Sequence, residues 1–516
     1  MGKARHAAIV ARIWNHDYLL WGKEPDEISN RLGWLKAPTN LLHEMTTLLD
    51  QVNPVLEFPA TDCVLLGMGG SSLCVEVLSS VIGSAPGRPR VHVLDSTCPA
   101  WVDRVAEAIN LDKTLFIVAS KSGGTIEVMS AFKHFWDSLE GTTPNPGDHF
   151  IAITDPGTGL SEMATARRFR AIFENDPNIG GRFSVLSYFG MIPAFLMGAD
   201  VETILRSGFE MAHATKEEKV TENPGVSLGA FLSVCALEGR DKLTLLSSPR
   251  LERLGLWVEQ LIAESTGKDG KGILPVATEP ILPETYGSDR CFVATIEEGD
   301  TSLNPTLESL KQAGHPVLEI EFERDTQLGM EFYRWEFATA VVGHLLGIQP
   351  FDQPNVQLAK TRTGEVIDAF RSKGSLPQAE PSHGFPGILE EAKAGSYFSI
   401  HCYTDETPEI EGALQELRIA VMKKHGIATT SGYGPRFLHS TGQYHKGGPN
   451  TGLFLQIIQG DMAQLPVPGE DYDFATLCQA QSIGDLQALK EQGRKVARLE
   501  ISGDLAGAIR QLASRV

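Results

Sequence analysis

Cys63-Val64-Leu65-Leu66-Gly67-Met68-Gly69-Gly70-Ser71-Ser72 is the stretch that decides the fold. A short apolar run ends in a glycine turn, and Ser72 to Ile82 then has helical spacing. The same unit recurs outward from it. Val91 to Leu94 reads as a strand with a helix at about 100–109. Leu115 to Ala119 is a strand with a helix from about Thr125 to Leu139, and Phe150 to Thr154 is a fourth strand. Strand, turn and helix at this pitch predict a parallel α/β sheet with right-handed crossovers. A second unit begins near 220, with strands at Lys242–Leu246, Cys291–Thr295 and Pro316–Ile320 and helices at Pro249–Glu264 and Glu331–Leu346. Residues 372–386 carry Ser, Gly, Pro and Gln and read as a linker. Beyond it lie strands at Tyr397–His401, Leu453–Ile458 and Lys495–Ile501, with helices at Pro408–Lys424 and about 474–492. Residues 1–50 read as mostly helical, with a break at Pro38-Thr39-Asn40. The expected organisation is therefore 1–50, 51–210, 211–371 and 387–516.

The bulk composition narrows the function. Of 516 residues, 42% are hydrophobic and 21% charged, and Lys+Arg 45 against Asp+Glu 65 leaves a net charge of −20. A general nucleic-acid surface needs a clustered basic patch, so the net charge argues against that class. Any phosphate must be held locally, by backbone N–H groups, hydroxyls and a few cations. The seven cysteines are odd in number and none are in CxxC spacing, which argues against a disulfide framework or a zinc site. No run approaches the ~18 apolar residues of a membrane span. The first twenty residues mix charged and apolar types unlike a signal peptide, so the expected location is cytoplasmic.

Six segments carry candidate chemistry. Gly67 to Ser72 joins a strand to a helix, where backbone N–H groups favour an anion. A packing turn is the plain alternative. A dinucleotide loop is another, with Asp95 as ribose acid, but its third glycine is Ser72. Ser120-Lys121-Ser122-Gly123-Gly124-Thr125 also follows a strand and opens a helix, and its hydroxyls suit a phosphate monoester. Gly180-Gly181-Arg182-Phe183-Ser184 offers a planar guanidinium beside two glycines. Gln260 and Glu264 share a helical face, and Glu264 lies near the helix C-terminus, where a less favoured anion makes a better base. Lys360 falls early in a helix that begins near Pro354. His439 and His445, six apart, have no third metal ligand in their company.

Together these segments resemble the phosphoglucose isomerase family, over most of residues 50–360. Gly432 to Gln443 is similar to the isomerase half of bifunctional transaldolase–isomerase fusions. With no room for a transaldolase barrel before residue 60, only the isomerase activity is expected. The resemblance implies an α/β fold. Two sugar-isomerase (SIS) type parallel-sheet subdomains of flavodoxin-like three-layer architecture are followed by a C-terminal α/β extension. It implies interconversion of glucose 6-phosphate and fructose 6-phosphate, with a sugar phosphate as partner and no cofactor or metal. Residue by residue, it implies phosphate on Ser120, Lys121, Ser122 and Thr125, with Gly70 and Ser71 near the sugar and Gln260 near the phosphate. Glu264 is the implied base, Arg182 stabilises the enediolate, and Lys360 assists ring opening. The ring-opening histidine of the family follows a Gly-Gln pair. Here Gly442-Gln443-Tyr444-His445 follows Lys360 in the chain, so the order is permuted. His445 is preferred and His439 is the alternative. In the related fold this histidine reaches a partner subunit's site, which implies a homodimer. A sugar-phosphate sensor without catalysis, or an isomerase also acting on mannose 6-phosphate, remain the other readings.

Overall fold

The computed structural model describes residues 9–516. β1 (Asp62–Leu66) is buried along its whole length, as are β3 (Thr114–Ala119) and β4 (Phe150–Thr154). Unbroken apolar strands of this kind belong inside parallel sheets covered on both faces. With β2 (Arg90–Leu94) and β5 (Ala171–Glu174) they form a parallel sheet of order β2-β1-β3-β4-β5. β6 (Lys242–Ser247), β7 (Leu274–Val276), β8 (Arg290–Glu297) and β9 (Val317–Phe322) form a second parallel sheet, β7-β6-β8-β9. β10 (Tyr397–Tyr403), β11 (Ala428–Tyr433), β12 (Gly452–Gln459) and β13 (Lys495–Ile501) form a third, β11-β10-β12-β13. All three wind alike. The first strand is central, the second lies on one side and the later ones on the other, which opens a crevice at the carboxyl ends of the strands. The region after the linker is thus a full α/β unit with the winding of the first two.

Alternation along β1 shows how the units join. Cys63 and Leu65 face a core shared with Leu243 and Val293 of the second sheet. Val64 and Leu66 face a core shared with Phe398, Ile400 and Leu455 of the third. Because side chains of a strand alternate between faces, the first sheet lies between the other two units.

Three strands are absent from the sequence reading: β5, β7 and β11. Each is an edge strand. An edge strand has one neighbour and needs no long apolar run, and an edge tolerates Pro275 within β7. The expected break at Pro38 is corrected: Pro38 lies in the first turn of the helix Ala37–His43, where a missing N–H loses no hydrogen bond. The part of the N-terminal reading that concerns residues 1–8 lies outside the described residues. The N-terminal segment packs inward through Trp34, whose ring stacks on Phe183 at 5.3 Å between centroids, and Trp21, which meets Phe351 edge-on at 5.1 Å.

Candidate active site

The helix Glu252–Thr266 carries the base candidate on its last turn. Glu264 is 3% exposed, and Oε2 accepts from Arg182 Nη1 at 3.3 Å and weakly from Gln260 Nε2 at 3.5 Å. Burial raises the Glu264 carboxyl above its ordinary value, against the pull of Arg182, His439 and Lys268. Arg182 is equally buried, and its whole fork is engaged. Nε donates to Ser265 Oγ (2.8 Å), Nη1 also to Gln353 Oε1 (2.8 Å), and Nη2 to the carbonyls of Pro350 (2.6 Å) and Asp352 (2.9 Å). Lys268 braces the same loop, donating to the Gln349 carbonyl and pairing with Asp352 Oδ1, both at 2.6 Å. Burial, then repulsion from Arg182, brings the Lys268 ammonium down to about 7. Two cations and two carboxylates thus share one cluster, buried except at the half-buried Asp352, and charges removed from water persist only when paired in this way.

The glycine turn after β1 places Arg182. Gly69 has φ +58°, in the left-handed region that favours glycine. A Cβ on Gly70 would stand 2.1 Å from the Gly181 carbonyl oxygen, so the Gly180–Ser184 segment touches the helix Gly70–Val81 only because that side chain is absent.

A cavity of about 200 Å³ opens at His439, whose carbonyl ties it to Gln260 of the base helix; Glu264 and Arg182 are not among its walls. Its walls are Gly124 and Thr125 from the loop after β3, Glu127 from the first turn of the helix Ile126–Glu140, Lys360 and Thr363 from the helix Pro354–Lys373, and Leu438, His439 and Gln481 from the third unit. Within the Ser120 loop, the Ser120 and Thr125 hydroxyls bond each other at 2.9 Å, and Ser122 is exposed. Lys121 is engaged in an ion pair with Asp155 and donates to the Pro177 carbonyl at 3.0 Å, so it anchors the loop toward β4. Ser71 is buried in the first turn after the glycines. Gln260 ties the two halves of the site together, donating from Nε2 to the His439 carbonyl at 2.9 Å.

His439 Nε2 meets Glu127 Oε1 at 2.9 Å, and Gln481 Nε2 donates to the same oxygen at 2.7 Å. Burial raises the Glu127 carboxyl, but the neighbouring His439 and, further off, Lys360 outweigh it, and the net shift is downward. An ionised Glu127 accepts the Nε2 proton. His439 Nδ1 makes no hydrogen bond among the described residues.

The structure separates the two candidate histidines, and the preferred His445 lies away from the cavity. His445 is 2% exposed, and its nitrogens face Tyr397 OH at 3.0 Å and Ser399 Oγ at 3.4 Å in the interior of the third unit. Burial holds that imidazole well below its ordinary value. His439, not His445, is brought together with Lys360 and the Ser120 loop. Asp95 is committed elsewhere too: Arg436 Nε donates to it at 2.8 Å, and no ribose could displace that buried pair cheaply.

Sequence reasoning missed Glu127, Gln481, Ser265, Gln353 and the bracing role of Lys268. Glu127 had a local signal, an acid in the first turn of a helix following the hydroxyl loop. Gln481, distant in sequence, had none. Among the described residues no group of three or more His, Cys, Asp or Glu is arranged to hold a metal ion. All seven cysteines are free and buried, and no helix among those residues is long and apolar enough to cross a membrane.

Fold and site together define an α/β protein of the sugar-isomerase class, with a buried carboxylate–guanidinium pair beside a hydroxyl-rich loop. The phosphoglucose isomerase family model matches residues 57–281. Glucose-6-phosphate isomerase of Rubrobacter xylanophilus is 30% identical over 408 residues, covering 67% of this chain and 94% of its own. A hypothetical protein of Thermus thermophilus shares the fold at a TM-score of 0.61 and 24% identity, covering 72% of this chain and 96% of its own. Glucose-6-phosphate isomerase of Chlamydia trachomatis does so at 0.54 and 19%, covering 71% and 78%. The chain belongs to the phosphoglucose isomerase family.

Proposed function

We propose that the protein interconverts glucose 6-phosphate and fructose 6-phosphate by proton transfer between C1 and C2 through a cis-enediol. The observation that carries this reading is the buried Glu264 carboxylate 3.3 Å from the Arg182 guanidinium. Proton abstraction next to a carbonyl needs a base and a donor aimed at the oxygen that becomes negative. Glu264 takes the C2 proton of the aldose and returns it to C1. Arg182, fixed by its four other bonds, offers the Nη1 proton that faces Glu264 to the enediolate oxygen once the Glu264 carboxylate has taken up the C2 proton. A raised carboxyl suits this task, because the proton acquired in one half-reaction must be released in the next.

The substrate's phosphate lies on Ser120, Ser122, Thr125 and the free N–H groups at the start of the helix Ile126–Glu140. Lys121 holds that loop to Asp155, and its charge adds to the local potential. Gly70 and Ser71 form the wall behind the sugar, and Gln260 sets the floor. The cyclic sugar opens with His439, whose Nε2 proton is kept by Glu127, exchanging a proton at the ring oxygen through Nδ1. Lys360 lies across the cavity for the neighbouring hydroxyl. A sensor that only bound sugar phosphate would have no use for a desolvated Arg182–Glu264 pair, whose burial is costly.

Purified protein treated with EDTA should turn over fructose 6-phosphate in an assay coupled to glucose-6-phosphate dehydrogenase. Glu264→Gln should lower kcat by about 10³-fold or more, since a general base contributes about 10²–10⁴ and its oriented carboxylate more. Undiminished turnover in that variant would remove Glu264 from its role.

A further inference from the structure

We infer that the third α/β unit completes the active site of its own chain, so that catalysis needs no second copy of the protein. This rests on the isomerase reading above and departs from the homodimer that the sequence resemblance implies.

The catalytic groups come from all three units of one chain. Arg182 and the Ser120 loop belong to the first, Glu264 to the second, and His439 to the turn after β11 of the third. The third unit enters at several points, each by a buried or partly buried polar bond. His439 Nε2 reaches Glu127, and its carbonyl accepts from Gln260. Gln481 bridges two segments of the first unit, accepting from Thr97 Oγ1 at 2.6 Å while donating to Glu127. Gln443 accepts from the Asn355 N–H at 2.8 Å and donates to the Gly267 carbonyl at 2.9 Å, three residues beyond Glu264. The histidine is therefore registered against both the base helix and the phosphate loop.

The attachment is not a loosely held arm. Val64, Leu66, Phe116 and Phe132 of the first unit share a core with Phe398, Ile400, Leu455 and Phe474 of the third. At the seam with the second unit, Glu279 accepts from the Thr429 N–H at 2.6 Å and from Arg290 at 2.7 Å. The helix Pro354–Lys373, which carries Lys360, leads into the linker and places Val366 and Ile367 in that same core. The linker is pinned back on the third unit, where Ser382 N donates to the Val496 carbonyl at 3.0 Å. Gln481 acts as a positioning residue, since it touches the carboxylate behind the histidine rather than the cavity's reacting groups.

Complementation between inactive chains decides the matter. Differently tagged Glu264→Gln and His439→Asn chains are co-expressed, and mixed oligomers are isolated through both tags. If each site lies within one chain, every site in the mixture lacks either base or histidine, and activity stays at the residual level of the parents, about 10²-fold or more below wild type. If sites were shared between copies, a mixed dimer would regain one intact site of its two, and recovery toward half of wild-type activity would overturn the inference. Failure to recover any mixed oligomer, with wild-type rate per chain constant on dilution, supports it. Full activity in both single variants would instead remove both residues from catalysis, and the isomerase mechanism with them. Gln481→Leu should lower kcat about 10-fold with KM nearly unchanged and displace the pH profile, because Glu127 then holds His439 without its second donor; a change in thermal stability alone would leave Gln481 a packing residue.

Discussion

Arg182 donates five hydrogen bonds, to Ser265, Glu264, Gln353 and the carbonyls of Pro350 and Asp352. A lysine cannot reproduce a planar fork. Arg182→Lys should therefore lower kcat by about 10²–10³, the loss usual for an oxyanion donor, while the stranded carbonyls lower the melting temperature. An unchanged kcat would mean that the guanidinium is structural only. The acidity of Glu264 gives a second expectation. Its carboxyl is raised by burial, and a base acts only when ionised. Activity must then fall as pH drops through a value above the ordinary glutamate range near 4.5, and the acid limb of kcat/KM should lie there. Lys268→Met removes a cation that favours the ionised form and should move that limb to higher pH; a limb displaced downward would contradict the assignment. At this scale Glu264 and Arg182 were conspicuous, because a carboxylate on the last helical turn and an arginine beside two glycines break local preferences. The histidine was not. His439 and His445 flank the same Gly-Gln pair, and only the packing of the third unit turns one to the cavity and the other to Tyr397 and Ser399.

The loops act through the rigid elements that carry them. The helix Gly70–Val81 begins at a glycine with no room for a Cβ, and the Arg182 segment rests on that gap. Gly70→Ala must push Gly181 outward, with overpacking that destabilises by about 1–3 kcal/mol. The displaced segment carries Arg182, so kcat should fall with stability. Gly412 makes the control. It lies inside the helix Pro408–His425, and a Cβ there meets nothing within 4 Å. Gly412→Ala should raise stability by about 0.5–1 kcal/mol and leave kcat alone. Equal behaviour of the two variants in thermal melts and kinetics would refute the close-approach argument. Elements with both faces covered were readable as continuous apolar runs, as in β1, β3 and β4. Three of the six edges were not: β5, β7 and β11 each bond one neighbour and draw their stability from it, whereas the edges β2, β9 and β13 carry apolar runs of their own.

The whole molecule has a single first sheet shared by two cores, one toward the second unit and one toward the third. The third unit therefore cannot melt alone. Its departure would uncover Phe116, Phe132 and Phe150 and leave Asp95 without Arg436 and Glu127 without His439. An uncompensated buried charge is worth about 3–5 kcal/mol against the fold, and the uncovered aromatics add to that. Heating or denaturant should thus give one transition, with far-UV circular dichroism, tryptophan fluorescence and loss of activity following the same curve, as cooperative unfolding requires. Among the tryptophans, Trp34 reports on the first core and Trp101, beside Tyr433 at 6.2 Å, on the seam with the third unit. Single-tryptophan variants retaining one or the other should unfold at the same denaturant concentration. An earlier transition at Trp101, with the Trp34 signal still native, would show the third unit detaching from an intact remainder. In that case activity should disappear with the Trp101 signal, since His439 leaves with the unit that carries it.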